Sequence, residues 1–187
     1  MYELTEPVDW KSLSGVFPIK SADGKVYAFP EKFLFLSHSL TVLHNTATDP
    51  NNQPFERVFP LPEIRGKSLE TIIAWCEIHQ NDPEKTDFQR HLARFDKDIL
   101  NEDGMLFESI TSRAELMELI NAVYLLDIPD MTTSLIRYTA KNIEGRTLEE
   151  ISEWLEVGID QDFLRTHDTR RRNGEPSGLK RSRPSSS

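Results

Sequence analysis

One pair of side chains in this sequence has the residue types and the spacing for nucleophilic chemistry. Cys76 and His79 are three residues apart, so on a helix they lie on the same side. A thiolate beside an imidazole is a nucleophile in some enzymes, and the same two residues are also half of a metal site. Cys76, however, continues an apolar stripe that begins at Leu69, and free cysteine often behaves as a small buried hydrophobe. The pattern therefore favours a structural cysteine over a catalytic one.

The other residues that could do chemistry do not group into a site. Four further histidines stand singly, without the spacing of metal ligands: His38, His44, His91 and His167. The sequence lacks a nucleophile elbow, a phosphate-binding glycine loop and a zinc-protease motif. The carboxylates mostly flank helix starts, where negative charge is favourable. We predict no enzymatic activity, no metal and no cofactor, and keep a cysteine enzyme only as a third hypothesis.

Charge and composition exclude several classes of function. The chain has a net charge of −9, but the segment from Arg165 onward carries +5 and residues 1 to 164 carry −14. An acidic body repels phosphates, so we expect no nucleic-acid partner. One cysteine excludes an internal disulfide and a zinc site of paired cysteines. No apolar run reaches about 18 residues and no signal-peptide pattern begins the chain, so we expect no membrane contact and a reducing intracellular compartment.

The first half of the chain predicts a small sheet and two helices. Residues 16–19 and 26–29 flank Asp23-Gly24, a strong hairpin signal, and residues 58–61 form a third short strand. Pro30 opens a helix whose apolar face is formed by Phe33, Leu36, Leu40 and Leu43. A polar loop is predicted from His44 to Arg57, and a helix over residues 67–79.

The second half is mostly helical. Asn101 to Gly104 predicts a turn, and Ser112 with Glu115 predicts a capping box that starts a helix. The sequence Asp127-Ile128-Pro129 separates that helix from a second one over residues 130–143. Thr147 with Glu150 is another capping box, and it opens a short helix with an apolar stripe of Leu148, Ile151 and Leu155. The fold class is therefore predicted to be α+β.

Four segments, in the right order, resemble the family of S-phase kinase-associated protein 1. They are IKSADGKVYAF (19–29), PLPEIRGKSLETIIAWCEIHQNDP (60–83), LMELINAVYLLDIPDM (116–131) and NIEGRTLEEISEWLEV (142–157). The resemblance implies a BTB/POZ-type core, with a short three-stranded sheet and helices, followed by C-terminal helices that bind an F-box. It divides the chain into an N-terminal extension (1–15), the core (16–128), dimerisation or F-box-binding helices (129–164) and a basic tail (165–187), which we predict to be disordered.

The resemblance also implies a function without catalysis. Members of the family are adaptors of cullin-RING ubiquitin ligases, in which the core docks on a cullin and the last helices hold the F-box protein. The implied F-box contacts are Ile128, Leu135, Ile143, Ile151, Leu155, Val157 and Phe163. The implied cullin contacts are Asn121, Tyr124 and Leu125. The chain departs from the family here, since Tyr124 and Leu125 stand where the family has Asn-Tyr, and since the region between Phe95 and Leu116 is longer.

Two readings of the partner interactions stay open at this point. The chain bridges a cullin to an F-box protein, in the cytoplasm and the nucleus, or it is a BTB-like regulatory module that binds F-box proteins or self-associates without a cullin. The basic stretch LKRSRP (179–184) is either a nuclear-import signal or part of a solubilising tail.

Overall fold

The computed structural model describes residues 3–4, 14–48, 58–93, 96 and 98–158. It has the predicted α+β class, with three strands before the first helices, a fourth strand at Phe59–Pro60, and only helices among the described residues after it. The chain divides into two compact units, of which the first ends at Glu144 and the second begins at Gly145. The predicted tail and Phe163 lie outside the described residues.

The sheet contains four strands, one more than predicted. They are β1 (Glu3–Leu4), β2 (Val16–Lys20), β3 (Val26–Pro30) and β4 (Phe59–Pro60), in the spatial order β1-β3-β2-β4. The hairpin of β2 and β3 is confirmed, with Phe17 opposite Phe29 and Gly24 at φ 83° in the turn. Strand β4 runs parallel to β2, and the additional strand β1 pairs antiparallel with β3. A two-residue strand carries no readable alternation, which is why the sequence pattern missed β1.

The helix predicted after Pro30 is divided in two at Ser37. A 3-10 helix covers Glu31–Leu36, and α1 covers His38–Thr48. The Ser37 hydroxyl accepts a hydrogen bond from the amide of Leu40 and donates one to the carbonyl of Leu126, so it caps α1 and ties it to a distant segment. The loop predicted from His44 was wrong up to Thr48, because those residues are the last part of α1.

Five more helices follow in the first unit, of which α2, α5 and α6 were predicted and α3 and α4 were not. They are α2 (Gly66–Ile78), α3 (Asp87–Ala93), α4 (Asn101–Glu108), α5 (Arg113–Leu125) and α6 (Pro129–Ile143). The turn predicted at Asn101 was wrong, because these residues are the first half of α4, with Gly104 inside the helix. At α5 the Ser112 hydroxyl accepts from the Glu115 amide, but the Glu115 carboxylate accepts from Thr111 instead of closing a capping box.

The core lies around α2. Its residues Leu69, Ile72 and Ile73 are fully buried, and α2 contacts β3, the 3-10 helix, α4 and α5. The start of α2 is held by the hairpin turn, because the amide of Gly66 donates to the carboxylate of Asp23 at 2.8 Å. The second unit contains α7 (Leu148–Leu155).

Gly66 is required by close packing at this helix start. A Cβ built at this position would lie 2.2 Å from the hydroxyl oxygen of Tyr27, a buried residue whose hydroxyl donates to Glu70. We expect Gly66→Ala to lower the free energy of unfolding by about 1 to 3 kcal/mol through this clash. Urea unfolding followed by circular dichroism measures the change.

Gly104→Ala is the matched control. A Cβ at Gly104, within α4, meets no atom within 4 Å, so the higher helix propensity of alanine should raise stability by about 0.5 to 1 kcal/mol. Equal effects of the two substitutions would contradict the packing argument.

Candidate partner-binding surfaces

The first candidate site is an apolar groove between α5 and α6, of about 370 Å³. We call it the α5–α6 groove. Its apolar lining comes from Ile120, Val123, Leu135, Ile136, Ala140 and Ile143, with Thr132 and Thr139 beside them. Almost no polar surface is present in it, so a ligand for this groove must be apolar.

Helix α6 is built with two different sides. Met131, Leu135 and Tyr138 are buried, whereas Ile136 is 57% exposed and Ile143 is half-buried. The spacing of Ile136, Ala140 and Ile143 continues one stripe along the helix, so exposed aliphatic side chains are grouped instead of scattered. A grouped apolar surface of this kind marks an interaction site more often than single exposed residues do.

The predicted F-box contacts fall into three groups. Leu135 and Ile143 line the α5–α6 groove, whereas Ile128 is fully buried at the turn before α6. Ile151, Leu155 and Val157 belong to the second unit, where Val157 is exposed and the other two are half-buried. Phe163 lies outside the described residues.

Two isoleucines that line the groove were missing from the predicted set. Ile136 lines the groove beside Leu135, and Ile120 of α5 lines its other wall. A stripe of Ile136, Ala140 and Ile143 was visible in the sequence and could have added Ile136. The contribution of Ile120 follows only from the packing of α5 against α6.

The short helix α7 begins as its sequence predicted. The hydroxyl of Thr147 accepts from the Glu150 amide at 3.2 Å, and the Glu150 carboxylate accepts from the Thr147 amide at 2.7 Å, which confirms the capping box. The helix ends at Glu156, whose φ of 56° is left-handed, and the Ser152 hydroxyl donates to the carbonyl of Val157.

The second candidate site is the outward face of α5. The three predicted cullin contacts, Asn121, Tyr124 and Leu125, are all exposed, and Tyr124 is 79% exposed. Met117, one turn earlier, is also exposed and was missing from the prediction. Met117, Asn121 and Tyr124 follow one another at intervals of four and three residues, and Leu125 lies four residues after Asn121. The four side chains therefore form one stripe along the helix. We call this stripe the α5 outer face.

A buried ion pair joins α2 to α4. The ring of His79 has Nδ1 at 2.8 Å from Asp82 Oδ2 and Nε2 at 2.8 Å from Asp103 Oδ1. Both partners are carboxylates, which accept hydrogen bonds when ionised. Both ring nitrogens therefore donate, and a ring with two N–H groups is an imidazolium. His79 is 4% exposed and Asp103 is 1% exposed. The ring also stacks on Trp75, with 4.0 Å between the ring centroids.

The pKa values of this pair favour the charged state of both groups. Burial by itself lowers the pKa of His79, but hydrogen bonds to Asp103 and Asp82 outweigh it and raise the pKa above 6.5. Burial raises the pKa of Asp103, but the hydrogen bond with His79 and the interactions of Ser134 and Trp75 bring it below 3.8. Sequence reasoning missed this pair, because it considered His79 only beside Cys76 and placed Asp103 in a turn.

Cys76 is a buried core residue, as predicted. Its side chain is fully buried, and burial raises the pKa of the thiol to about 12. The fraction of thiolate at neutral pH is therefore negligible. Both nitrogens of His79 are held by carboxylates, so this ring does not activate the cysteine.

Clusters of metal-ligating side chains and membrane-spanning helices are both absent from the described part of the chain. Across the described ranges of the chain, three or more His, Cys, Asp or Glu do not converge in a way that could hold a metal ion. Within the same ranges, each helix is too short or too polar to cross a membrane.

The chain is similar to several proteins of known family. It is 25% identical over 143 residues to the Skp1-related protein of Caenorhabditis elegans, covering 76% of this chain and 80% of the relative. It is 23% identical over 155 residues to SKP1-like protein 10 of Arabidopsis thaliana, covering 83% and 92%. It is 28% identical over 105 residues to the E3 ubiquitin ligase complex SCF subunit sconC of Talaromyces stipitatus, covering 56% and 64%. No family model matches the chain.

The His79–Asp103 pair predicts how stability depends on pH. The raised pKa of His79 contributes stability that is fully present below pH 6.5 and is lost as pH rises through the folded-state pKa. The lowered pKa of Asp103 contributes stability that is lost as pH falls below 3.8. We expect the urea midpoint to fall as pH rises above 6.5, because the folded protein then loses the proton that its raised His79 pKa had retained.

Asp103→Asn tests the assignment. Removing one partner of a buried pair should destabilise the protein by about 3 to 5 kcal/mol at neutral pH and should flatten the alkaline decline. Asp82→Asn is the control, because the Asp82 side chain is 43% exposed and its loss should have a smaller effect. An alkaline decline that is unchanged in Asp103→Asn would refute the role of this pair.

Proposed function

This chain is a divergent member of the S-phase kinase-associated protein 1 (Skp1) family, and from that premise we propose that it is an adaptor subunit of an SCF-type cullin-RING ubiquitin ligase. It bridges a cullin to an F-box substrate receptor and takes no part in the chemistry. The observation that carries the proposal is the α5–α6 groove, an open apolar surface whose α6 wall belongs to the segment 129–164 that the family resemblance assigns to F-box binding. The mechanism is proximity, since linking two binding events raises the local concentration of the substrate at the ligase.

The α5–α6 groove suits a helical partner such as an F-box. Ile136 and Ile143 are aliphatic side chains that stay accessible, and burial of apolar area is favourable by about 25 cal/mol per Å² before the cost of association. An apolar helix laid in a groove is a common mode of recognition. The remaining predicted contacts are proposed to meet the F-box protein separately: they are Ile151 and Leu155 of α7, Val157 after that helix, and Phe163, which lies outside the described residues. Ile128 supports the groove by placing the start of α6.

The α5 outer face is the proposed cullin surface. Tyr124 gives it a large amphipathic anchor, and tyrosine is enriched among the residues that dominate interface energies. Leu125 and Met117 add apolar area, and Asn121 adds a polar group. A tyrosine and a leucine in place of the family's Asn-Tyr keep an aromatic ring on this face, one position earlier in the chain.

The proposed location in the cell is inferred from the proposed partners. An adaptor of this kind works in the cytoplasm and the nucleus, where reduced cysteine is the normal state. The proposed partners are an F-box protein and a cullin, without nucleic acid. The basic segment from Arg165 onward is then either an import signal or a solubilising tail.

Ile136→Asp is the first test of the proposal. A carboxylate in the α5–α6 groove should weaken binding of an F-box protein at least about tenfold, or about 1.4 kcal/mol, while the fold is kept because the side chain is exposed. Isothermal titration with an F-box receptor from the same cell measures the affinity, and circular dichroism verifies the fold. Phe88→Asp on α3 is the matched control, since it charges an equally exposed apolar site outside the groove.

Tyr124→Ala tests the cullin side. We expect it to weaken binding to a cullin N-terminal domain about tenfold or more and to leave F-box affinity unchanged, because Tyr124 is outside the α5–α6 groove. Met105→Ala, an exposed residue of α4, is the control. A parallel loss of both affinities would mean that the substitution disturbs α5 as a whole.

Co-purification of the chain with an F-box protein and a cullin N-terminal domain decides between the two partner readings. A ternary peak in size-exclusion chromatography supports the adaptor. A complex with the F-box protein alone would contradict the adaptor hypothesis and support the alternative, a regulatory module that binds F-box proteins without binding a cullin.

A further inference from the structure

We infer that the buried His79–Asp103 pair positions α6, and thereby couples the protonation of His79 to the shape of the α5–α6 groove. This inference deepens the proposed function, because it assigns a control to the groove in which the F-box is proposed to bind. It concerns residues that line neither candidate surface.

Asp103 stands at a junction of three helices. Its carboxylate accepts from His79 at the end of α2, and its own backbone belongs to α4. The Ser134 hydroxyl, on α6, helps to hold the pKa of this carboxyl below its usual range, and helix α4 itself packs on α6. The buried charge therefore joins α2 to α4 directly, and its connection to α6 runs through Ser134 and through the packing of α4 on α6.

The apolar contacts beside this junction have the same arrangement. Phe107 of α4 is fully buried and meets Tyr138 of α6 edge to face, with 5.5 Å between the ring centroids. Ser134 and Tyr138 are one turn apart, so the polar and the aromatic contact act on one side of α6. That side of α6 faces α4.

The groove lies on the opposite side of α6. Ser134 and Ile143 are separated by nine residues, or about two and a half turns, which places them on opposite sides of the helix. Ile136 and Ile143 form the α6 wall of the groove, and Ile120 belongs to the α5 wall. A shift of α6 relative to its α4 contact therefore changes the distance between the two walls.

The charge of His79 is the variable in this arrangement. When the ring is an imidazolium it donates to both Asp82 and Asp103, and when it loses a proton one of these bonds is lost and a buried carboxylate loses its counter-charge. The cavity that His79 and Asp82 border is also lined by His38 of α1, Glu84, three residues of α3 (Asp87, Arg90, His91) and two beside the start of α6 (Asp127, Asp130). Of these, Arg90 pairs with Asp87 and Asp130, so it balances part of the negative charge.

The test uses the methyl signals of isoleucine in the full-length protein. In a pH titration followed by nuclear magnetic resonance, we expect the δ1 methyls of Ile120, Ile136 and Ile143 to shift with the same midpoint as the ring signals of His79. The methyl of Ile19, in strand β2, is the internal reference and should not follow that midpoint. Groove methyls that do not respond at the His79 midpoint would overturn the inference.

Three variants separate the possible sources of the shift. His79→Gln should abolish the titration of the groove methyls, whereas His38→Gln, which removes another histidine on the same cavity, should leave it intact. Ser134→Ala keeps the ion pair and removes its link to α6, so the His79 ring should still titrate while the groove methyls respond less. A full groove response in Ser134→Ala would overturn this route of coupling, and the variant does not depend on losing a buried charge to give a result.

Binding of an F-box receptor is measured separately on the same samples. If the groove methyls titrate with His79 and the receptor binds more weakly as pH rises through that midpoint, both the coupling and the proposed function are supported. If the methyls titrate but the receptor does not bind at any pH, the coupling stands and the proposed function fails. If the receptor binds and the methyls do not respond, the coupling fails alone.

Discussion

Helix α2 is the constraint on which the other elements depend, because more than half of its residues are buried. Leu69, Ile72 and Ile73 are inaccessible to water, and Trp75 and Cys76 are buried at the far end. A narrow side with Lys67, Glu70 and Glu77 faces water, and β3, the 3-10 helix, α4 and α5 supply neighbours for the rest of the helix. The hairpin turn adds the cap, since Asp23 accepts from the first amide of the helix. The small sheet and the helices of the first unit thus form one core.

The far end of α2 presents a different physical problem, which is a charge within that core. His79 follows the last turn, where a positive charge is favourable, but it is almost fully buried. A buried imidazolium is stable only when carboxylates accept its hydrogen bonds and balance its charge, and Asp103 of α4 supplies one such carboxylate. Helix α4, in the region where the chain is longer than the family pattern, contributes to the core through the buried side chains of Asp103 and Phe107.

Apolar side chains are grouped on both candidate surfaces, as they are in the core. On α6, the side toward α4 is filled by Phe107, whereas Ile136 on the other side is left accessible. On α5, Val123 faces inward and Tyr124 faces outward from adjacent positions. Grouped isoleucine and tyrosine side chains that stay accessible to water are typical of surfaces that a partner protein covers. An adaptor function therefore suits this molecule.

The sequence alone determined those features that depend on near neighbours in the chain. The hairpin at Asp23-Gly24, the capping box of Thr147 and Glu150, and the break at Ile128-Pro129 are local hydrogen-bonding or dihedral effects, and each is present in the structure. The burial of Cys76 was also readable, because it continues a helical stripe. The family resemblance indicated which helices carry partner surfaces.

Only the tertiary structure decided what depends on residues far apart in the chain. Ser37 divides a predicted helix because its hydroxyl meets the carbonyl of Leu126, and the predicted turn at Asn101 became helix α4, whose Asp103 meets His79. The groove likewise needs Ile120 and Ile136 from two helices that pack together. A local pattern specifies what each segment prefers by itself. Long-range packing and the pairing of a buried charge depend on which segments come into contact. Those contacts are determined by the whole fold.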